Sequence, residues 1–191
     1  MQYIVGGAFR GRRLVSLPAG TAIRPTTGRL RETIFNVLVH RFQNNMNWTL
    51  SGARVADAFA GTGAMGFEAL SRGAAHVTFI DHATAAQSVI RANRHALGVE
   101  ARSTILVQDV LQPPAAIHAC TLIFLDSPYN DNDSMTAAAL AALRAVGWLA
   151  HGALCVIEHL ASRKIELPAG FRLANTRSYG KANVLFLWAL D

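Results

Sequence analysis

The sequence has little cysteine and no long hydrophobic run, and each absence excludes a class of protein. Cys120 and Cys155 are the only cysteines among 191 residues, too few for a disulfide framework or a cysteine-based zinc site. The seven histidines have no metal-site spacing. No apolar run approaches the ~20 residues that cross a membrane, and the first residues do not resemble a signal peptide. We therefore expect a monomeric cytoplasmic protein that binds neither a membrane nor a metal.

Positive charge is concentrated at the start of the chain. Residues 1–41 contain seven arginines and one acid, so they account for the whole formal net charge of +6. Arginine binds phosphate oxygens bidentately and stacks on bases, so this location favours a nucleic-acid-binding element. A solvated basic surface without a specific partner is the alternative. The arginines that we assign to RNA binding are Arg10, Arg12, Arg13, Arg24, Arg29 and Arg31.

A polar, turn-rich stretch at residues 43–52 divides the chain. Before it, short strands at 3–5 and 13–15 predict a hairpin, and apolar spacing predicts a helix over 29–42 with Thr26 or Thr27 as its N-cap. After it, strands and helices alternate, which predicts a parallel, doubly wound α/β sheet. We therefore expect an Arg-rich extension over residues 1–45 and a catalytic domain over residues 53–191.

Seven strands are predicted in this second part of the chain. The last two have no helix between them, so they should pair as an antiparallel hairpin. The predicted strands are 53–59, 76–80, 103–107, 121–125, 153–157, 171–176 and 184–190, and the predicted helices are 64–71, 83–97 and 134–146.

A glycine-rich turn follows the first of these strands. Residues 57–66 read Asp-Ala-Phe-Ala-Gly-Thr-Gly-Ala-Met-Gly, which contains the Gly-x-Gly-x-x-Gly spacing of nucleotide-binding loops. Glycines let a ligand approach the backbone closely, and the next helix offers free N–H groups at its start. Asp57 favours a ligand with a cationic amino-acid end and would repel a pyrophosphate. The residues that we assign to the cofactor here are Asp57, Phe59, Gly61, Thr62, Gly63 and Gly66.

Carboxylates also end the next two strands. Asp81 is suited to accept hydrogen bonds from both ribose hydroxyls of an adenosyl group. His82 is more typical of a surface residue and enters the cofactor set as the neighbour of Asp81. Asp109 follows the third strand, where an acid commonly meets the adenine amine, but aspartates at such positions also form turns. The sequence favours neither interpretation of Asp109.

Residues 122–129 read Leu-Ile-Phe-Leu-Asp-Ser-Pro-Tyr, a buried strand that ends in a carboxylate, a proline and an aromatic ring. A carboxylate and a backbone carbonyl can accept both N–H bonds of a base's amine and aim its lone pair at a methyl donor. The ring can stack a flipped base. The stretch is similar to the Asp-Pro-Pro-Tyr pattern of aminomethyltransferases. We assign catalytic roles to Asp126, Ser127, Pro128 and Tyr129.

Nearly the whole chain resembles the RsmD-type bacterial methyltransferases that modify guanine N2 in 16S ribosomal RNA. The resemblance covers the opening hairpin at 4–14, Arg24-Pro25-Thr26 with the helix after it, the loop and helix at 57–74, and Tyr179-Gly180. It implies a seven-stranded Rossmann-like class I methyltransferase fold, S-adenosylmethionine as methyl donor and the small ribosomal subunit as partner.

Three positions depart from the family pattern. Gln2-Tyr3 replaces a basic start, Asp81 stands where glutamate is common, and Ser127 stands where the first proline is expected. Serine keeps the backbone carbonyl but loses the fixed φ of proline. The resemblance therefore implies retained activity with a less rigid catalytic turn.

Three alternatives remain open at the level of sequence. The motif also fits a methyltransferase that modifies the amine of adenine or cytosine in DNA or another RNA. A non-catalytic ribosome-assembly factor would keep the RNA-binding arginines without the chemistry. A nicotinamide dehydrogenase would use the glycine loop, but it explains neither the Asp126 turn nor the arginines.

Overall fold

The computed structural model describes residues 2–17, 26–43, 48–127, 133–162 and 166–190. An N-terminal hairpin is formed by β1 (Gln2–Tyr3) and β2 (Arg13–Leu14), which pair antiparallel. The helices are α1 (Gly28–Val37), α2 (Ala64–Ser71), α3 (Thr84–Leu97) and α4 (Asp133–Ala145), with a short 3-10 turn at Glu100–Arg102.

The remaining strands form one sheet. They are β3 (Arg54–Ala58), β4 (His76–Ile80), β5 (Ser103–Leu106), β6 (Cys120–Leu125), β7 (Leu149–Leu160), β8 (Phe171–Tyr179) and β9 (Ala182–Ala189). Their order in the sheet is β5-β4-β3-β6-β7-β9-β8. Strands β3 to β7 pair in parallel, and β9 pairs antiparallel with both β7 and β8. The predicted Rossmann-like α/β sheet with a C-terminal antiparallel hairpin is therefore confirmed.

The predicted helix over 29–42 is α-helical only in its first part. Its N-cap is Thr27, whose hydroxyl accepts a hydrogen bond from Leu30 N at 3.2 Å. From Leu38 to Gln43 the helix continues with wider π-helical turns. Phe42, at the end of this segment, is fully buried and packs on the rings of Phe186 and Trp188, each with its centroid 5.4 Å away.

Strand β7 is longer than the sequence pattern predicts. Hydrogen bonding to β9 extends it through Glu158, His159 and Leu160, which lie opposite Val184, Asn183 and Ala182. Two of these three residues are polar, so the apolar pattern ends before the strand does. Their strand conformation comes from pairing with a segment that lies far away in sequence.

The N-terminal segment and the large sheet share one hydrophobic core. Ile4 and Leu14 of the hairpin and Phe35 of α1 belong to the same buried cluster as Phe124 of β6 and Val156 of β7. The opposite face of the sheet packs mainly against α4. The assignment of RNA binding to an extension at 1–45 and of catalysis to a domain at 53–191 stays a prediction.

A single buried carboxylate joins the hairpin to α2. Glu68 is 0% exposed and accepts hydrogen bonds from the backbone N–H groups of Val5 and Gly6, each at 2.8 Å. It also forms ion pairs with Arg72 at 2.7 Å and Arg31 at 3.4 Å. Four donors thus converge on one carboxylate that has no contact with water.

The assignment of Arg31 to RNA binding is wrong, because its side chain is 0% exposed. Besides Glu68, its guanidinium donates to the carbonyl oxygens of Thr26 at 3.4 Å and of Tyr3. Burial lowers the pKa of this guanidinium, and the neighbouring Glu68 opposes that shift. Arg31 is a structural cation that no phosphate can reach in this fold.

Candidate active site

The carboxyl ends of three neighbouring strands bring acids together on one face of the sheet. Asp57 of β3 lies opposite Phe124 of β6, which in turn lies opposite Val156 of β7. Side chains two residues apart on a strand point to the same face. Asp126 and Glu158, each two residues further on, therefore share the face of Asp57.

The glycine-rich loop between β3 and α2 has an unusual backbone. Phe59, Gly61 and Gly63 have φ values of 59°, 54° and 74°, so every second residue is left-handed. The conformation of Phe59 is uncommon for a residue with a side chain, and such strain is concentrated at ligand sites. The loop is closed by a hydrogen bond from Gly63 N to Ala60 O at 2.7 Å.

Gly66, in α2, is required by the close packing of this helix against the sheet. A Cβ atom at this position would lie 2.4 Å from Phe79 Cε1, 2.7 Å from Val77 Cγ1 and 3.0 Å from Asp57 Oδ2. Gly66 N also donates to Asp57 Oδ2 at 2.9 Å. The third glycine of the motif thus lets α2 lie against β4, as in other nucleotide-binding loops.

Gly66→Ala should lower the free energy of unfolding by about 1–3 kcal/mol, because the added methyl group meets tightly packed side chains. Gly28→Ala is the matched control. Gly28 also lies in a helix, but the nearest atom to its added Cβ is 3.8 Å away. Urea unfolding would measure both variants, and equal stabilities of the two would contradict this account of Gly66.

Asp57 is 3% exposed, and its burial raises the pKa of the carboxyl group to about 7. The hydrogen bond from Gly66 N opposes this rise, while the negative charge of Asp81 adds to it. A cation placed beside Asp57 would favour the ionised form. The carboxyl group is thus suited to a ligand that brings a positive charge.

Both carboxylate oxygens of Asp81 accept hydrogen bonds, one from the glycine-rich loop and one from the residue before α3. Oδ2 accepts from Gly61 N and Oδ1 from Ala83 N, both at 2.9 Å. Each carboxylate oxygen has a second lone pair, so hydroxyl groups of a ligand can still donate to it. Neighbouring His82 is exposed.

Asp109 and Thr62 each form contacts within the protein. Asp109 is exposed, and its Oδ1 accepts from Leu111 N at 2.9 Å in a local turn. The hydroxyl of Thr62 donates to Gln2 Oε1 of the N-terminal hairpin at 2.9 Å. The cofactor roles assigned to these two residues stay predictions.

Asp126 lies directly after β6, where the sequence places it, and a hydroxyl group joins it to a second carboxylate. Thr26 Oγ1 lies 2.9 Å from Asp126 Oδ2 and 3.1 Å from Glu158 Oε2. Burial, followed by the negative charge of Glu158, raises the pKa of Asp126 well above its usual range. The hydrogen bond from Thr26 partly opposes this rise.

Thr26 and Glu158 are absent from the residues assigned by sequence. Glu158 is 7% exposed and follows the apolar residues of β7 in the same way that Asp126 follows those of β6. An acid that follows a run of apolar strand residues was therefore the feature of the sequence that could have identified Glu158. Thr26 carried no such signal, because a threonine before a helix is ordinarily a cap.

Ser127 is held by a contact that proline cannot make. Its hydroxyl lies 3.0 Å from Thr136 Oγ1 on α4. This hydrogen bond joins the turn after β6 to α4 and offers a restraint in place of the proline ring. Pro128 and Tyr129 lie outside the described residues.

Four of the six arginines assigned to RNA binding are exposed. Arg10, Arg13 and Arg29 are exposed, as is Arg12, whose guanidinium also donates to Ala96 O at 2.5 Å. Arg24 lies outside the described residues. With Arg31 buried, the RNA-binding assignment is left as a prediction for the other five arginines.

Within residues 2–17, 26–43, 48–127, 133–162 and 166–190, no group of three or more potential ligand side chains could hold a metal ion. Across the same ranges, no helix has the length and apolar character of a membrane span.

The chain is similar to several known proteins over nearly its whole length. Ribosomal RNA small subunit methyltransferase D of Escherichia coli is 31% identical over 181 residues, which covers 93% of this chain and 85% of that protein. The protein of the same name from Haemophilus influenzae is 29% identical over 181 residues, with coverages of 93% and 88%. The solved structure of yhhF from Escherichia coli has a TM-score of 0.80 and 29% identity, and the match covers 99% of this chain and 98% of that one.

A family model described as "Conserved hypothetical protein 95" matches residues 2–188. The match includes the hairpin, the glycine loop and the acids that end β3, β6 and β7. The chain therefore belongs to the conserved hypothetical protein 95 family and has the fold of a class I methyltransferase.

Proposed function

We propose that the protein transfers a methyl group from S-adenosylmethionine to the N2 amine of one guanine in the 16S RNA of the small ribosomal subunit. The observation that carries the proposal is the position of Asp126, at the end of β6 beside Asp57 and the glycine loop. The names of the relatives as small subunit rRNA methyltransferases support the choice of RNA. We expect the protein to act in the cytoplasm.

The residues around the glycine loop fit S-adenosylmethionine. Asp57, buried and with a raised pKa, suits the ammonium end of the cofactor. Asp81 has lone pairs for the ribose hydroxyls, and the left-handed loop from Phe59 to Gly63 lets a ligand approach the backbone. When bound, the cofactor supplies an electrophilic methyl group.

Asp126 orients the target amine in the proposed reaction. Its carboxylate accepts one N–H bond, and the backbone carbonyl of Ser127 accepts the other, which directs the nitrogen lone pair away from the ring. After transfer the nitrogen releases one proton, and Asp126, with its raised pKa, is the base that lies within reach. The exposed arginines of the first 30 residues hold the phosphates of the RNA.

Label transfer tests the proposed function. Small subunits from cells that lack this modification are incubated with the protein and radiolabelled S-adenosylmethionine. One portion of the RNA is then digested to nucleosides to identify the labelled base, and a second portion is cut into oligonucleotides to locate it. We expect label in N2-methylguanosine at a single position. Label in methylated adenosine or cytidine would favour the rival aminomethyltransferase, and RNA binding without label would favour an assembly factor.

The pH dependence of cofactor binding tests the role of Asp57. Because the pKa of its carboxyl group is about 7 in the free protein, affinity for S-adenosylmethionine should rise with pH and level off above about 7. Calorimetry between roughly pH 5.5 and 7.5 keeps the amine of the ligand protonated. Asp57→Asn should bind more weakly with little pH dependence. An equally steep pH dependence in this variant would contradict the assignment.

A further inference from the structure

A cavity of about 750 Å³ opens between the start of α1 and the turn that joins β8 to β9. Glu158 lines it from β7, while Arg29 and Lys181, which also line it, are exposed to solvent. Tyr179 contributes an aromatic ring. The cavity thus combines cations that can meet phosphates, a ring that can contact a base, and one buried carboxylate.

Glu158 connects this cavity with the proposed catalytic carboxylate. One hydroxyl group, that of Thr26, lies within 3.1 Å of an oxygen of Glu158 and of an oxygen of Asp126. Parallel pairing of β6 with β7 places both acids directly after opposed residues, Leu125 and Ile157. The two carboxylates are therefore adjacent and lie on the same face of the sheet.

Two adjacent carboxylates complement one kind of base edge. Guanine carries an N1–H donor next to its N2 amine, so its edge offers neighbouring donors. In adenine and cytosine the amine lies next to a ring nitrogen with a lone pair, which a second carboxylate would repel. A base that is extruded from its stack is selected through hydrogen bonds to this edge.

We propose that Glu158 is the residue that selects guanine, by accepting the N1–H bond while Asp126 accepts from the N2 amine. The Thr26 hydroxyl, which lies within hydrogen-bonding distance of both acceptors, keeps the two carboxylates adjacent. Arg29 and Lys181 bind the phosphates of the neighbouring nucleotides. This inference rests on the proposed function, because it takes Asp126 as the acceptor of the target amine.

2-Aminopurine tests the role of Glu158, because this base keeps the 2-amino group of guanine but has a lone pair at N1. Small subunits are assembled with either guanine or 2-aminopurine at the position that the wild-type protein methylates. Initial rates then give kcat/KM for both substrates. We expect the wild-type protein to prefer guanine by about 10²-fold or more, because a buried carboxylate loses its hydrogen bond and meets a lone pair.

Glu158→Gln should reduce this preference to within about threefold, because its amide can rotate to donate to N1 of 2-aminopurine. Its kcat/KM for guanine should fall about tenfold or more, since a charged acceptor is replaced by a neutral one. Glu166→Gln, at an exposed position, is the matched control and should keep the preference of the wild type. Thermal unfolding of each variant verifies that it is folded.

The outcomes separate this inference from the proposed function. Equal rates of the wild-type protein on the two substrates would overturn the role of Glu158 and leave guanine methylation intact. An undiminished preference in a folded Glu158→Gln protein would do the same. If the wild-type protein transfers no methyl group to guanine-containing subunits, both proposals are wrong.

Discussion

Asp126→Asn lowers the rate of methyl transfer to small ribosomal subunits by about 10²- to 10⁴-fold, the range expected for loss of a positioned acceptor and base. The asparagine amide has nearly the same shape, but half of it donates hydrogen bonds and would oppose the target amine. Affinity for S-adenosylmethionine should change little, because the proposed cofactor contacts come from Asp57, Asp81 and the glycine loop. Single-turnover rates and calorimetry measure the two effects separately.

The wild-type rate should also fall as the pH is lowered. Asp126 must be ionised to accept the amine, and burial together with Glu158 raises its pKa well above the usual range. Activity is therefore lost at a pH well above the ordinary range of an aspartate. Glu100→Gln, at an exposed position, is the control and should keep both the rate and the pH profile. A pH-independent rate, or full activity in Asp126→Asn, would contradict the assignment.

Glu68→Ala should lower the free energy of unfolding by about 3–5 kcal/mol, the cost of removing one partner from a buried ion pair. Arg31 would remain buried without its carboxylate, and the N–H groups of Val5 and Gly6 would lose their acceptor. The hairpin is joined to α2 through these contacts, so it should detach before the sheet unfolds. Amide exchange at Val5 and Gly6 would report this detachment.

Glu32→Ala provides the comparison for Glu68. Glu32 lies on α1 but is exposed, so its replacement should change the free energy of unfolding by less than about 0.5 kcal/mol. Urea unfolding measures both variants. A loss below about 1 kcal/mol in Glu68→Ala would show that the hairpin is held by its apolar contacts alone.

Much of the fold was predictable because apolar runs mark the strands of a parallel sheet. The predicted helix at 64–71 and strand at 76–80 agree with α2 and β4 at both ends. Asp126 could be placed for the same reason, since it ends an apolar run and the carboxyl ends of parallel strands meet at one edge.

Side-chain partners far away in sequence could not be predicted in this way. A count of arginines does not separate Arg31, which is buried against Glu68, from Arg29, which is exposed. The capping pattern before α1 does not reveal that Thr26 contacts Asp126 and Glu158. Such contacts depend on how α1 lies across the sheet, which hydropathy alone leaves open.

The contacts of Thr26 also limit the order in which parts of the protein can form during translation. Its hydroxyl contacts Asp126, which is synthesised 100 residues later, and Glu158, which is synthesised 132 residues later. The N–H group of Val5 donates to Glu68, which follows 63 residues later. On the translating ribosome the arginine-rich segment therefore emerges long before its partners exist. The contact that joins Thr26 to Asp126 and Glu158 can form only after β7 has left the exit tunnel, so an incomplete chain lacks the acidic pair to which we assign the selection of guanine.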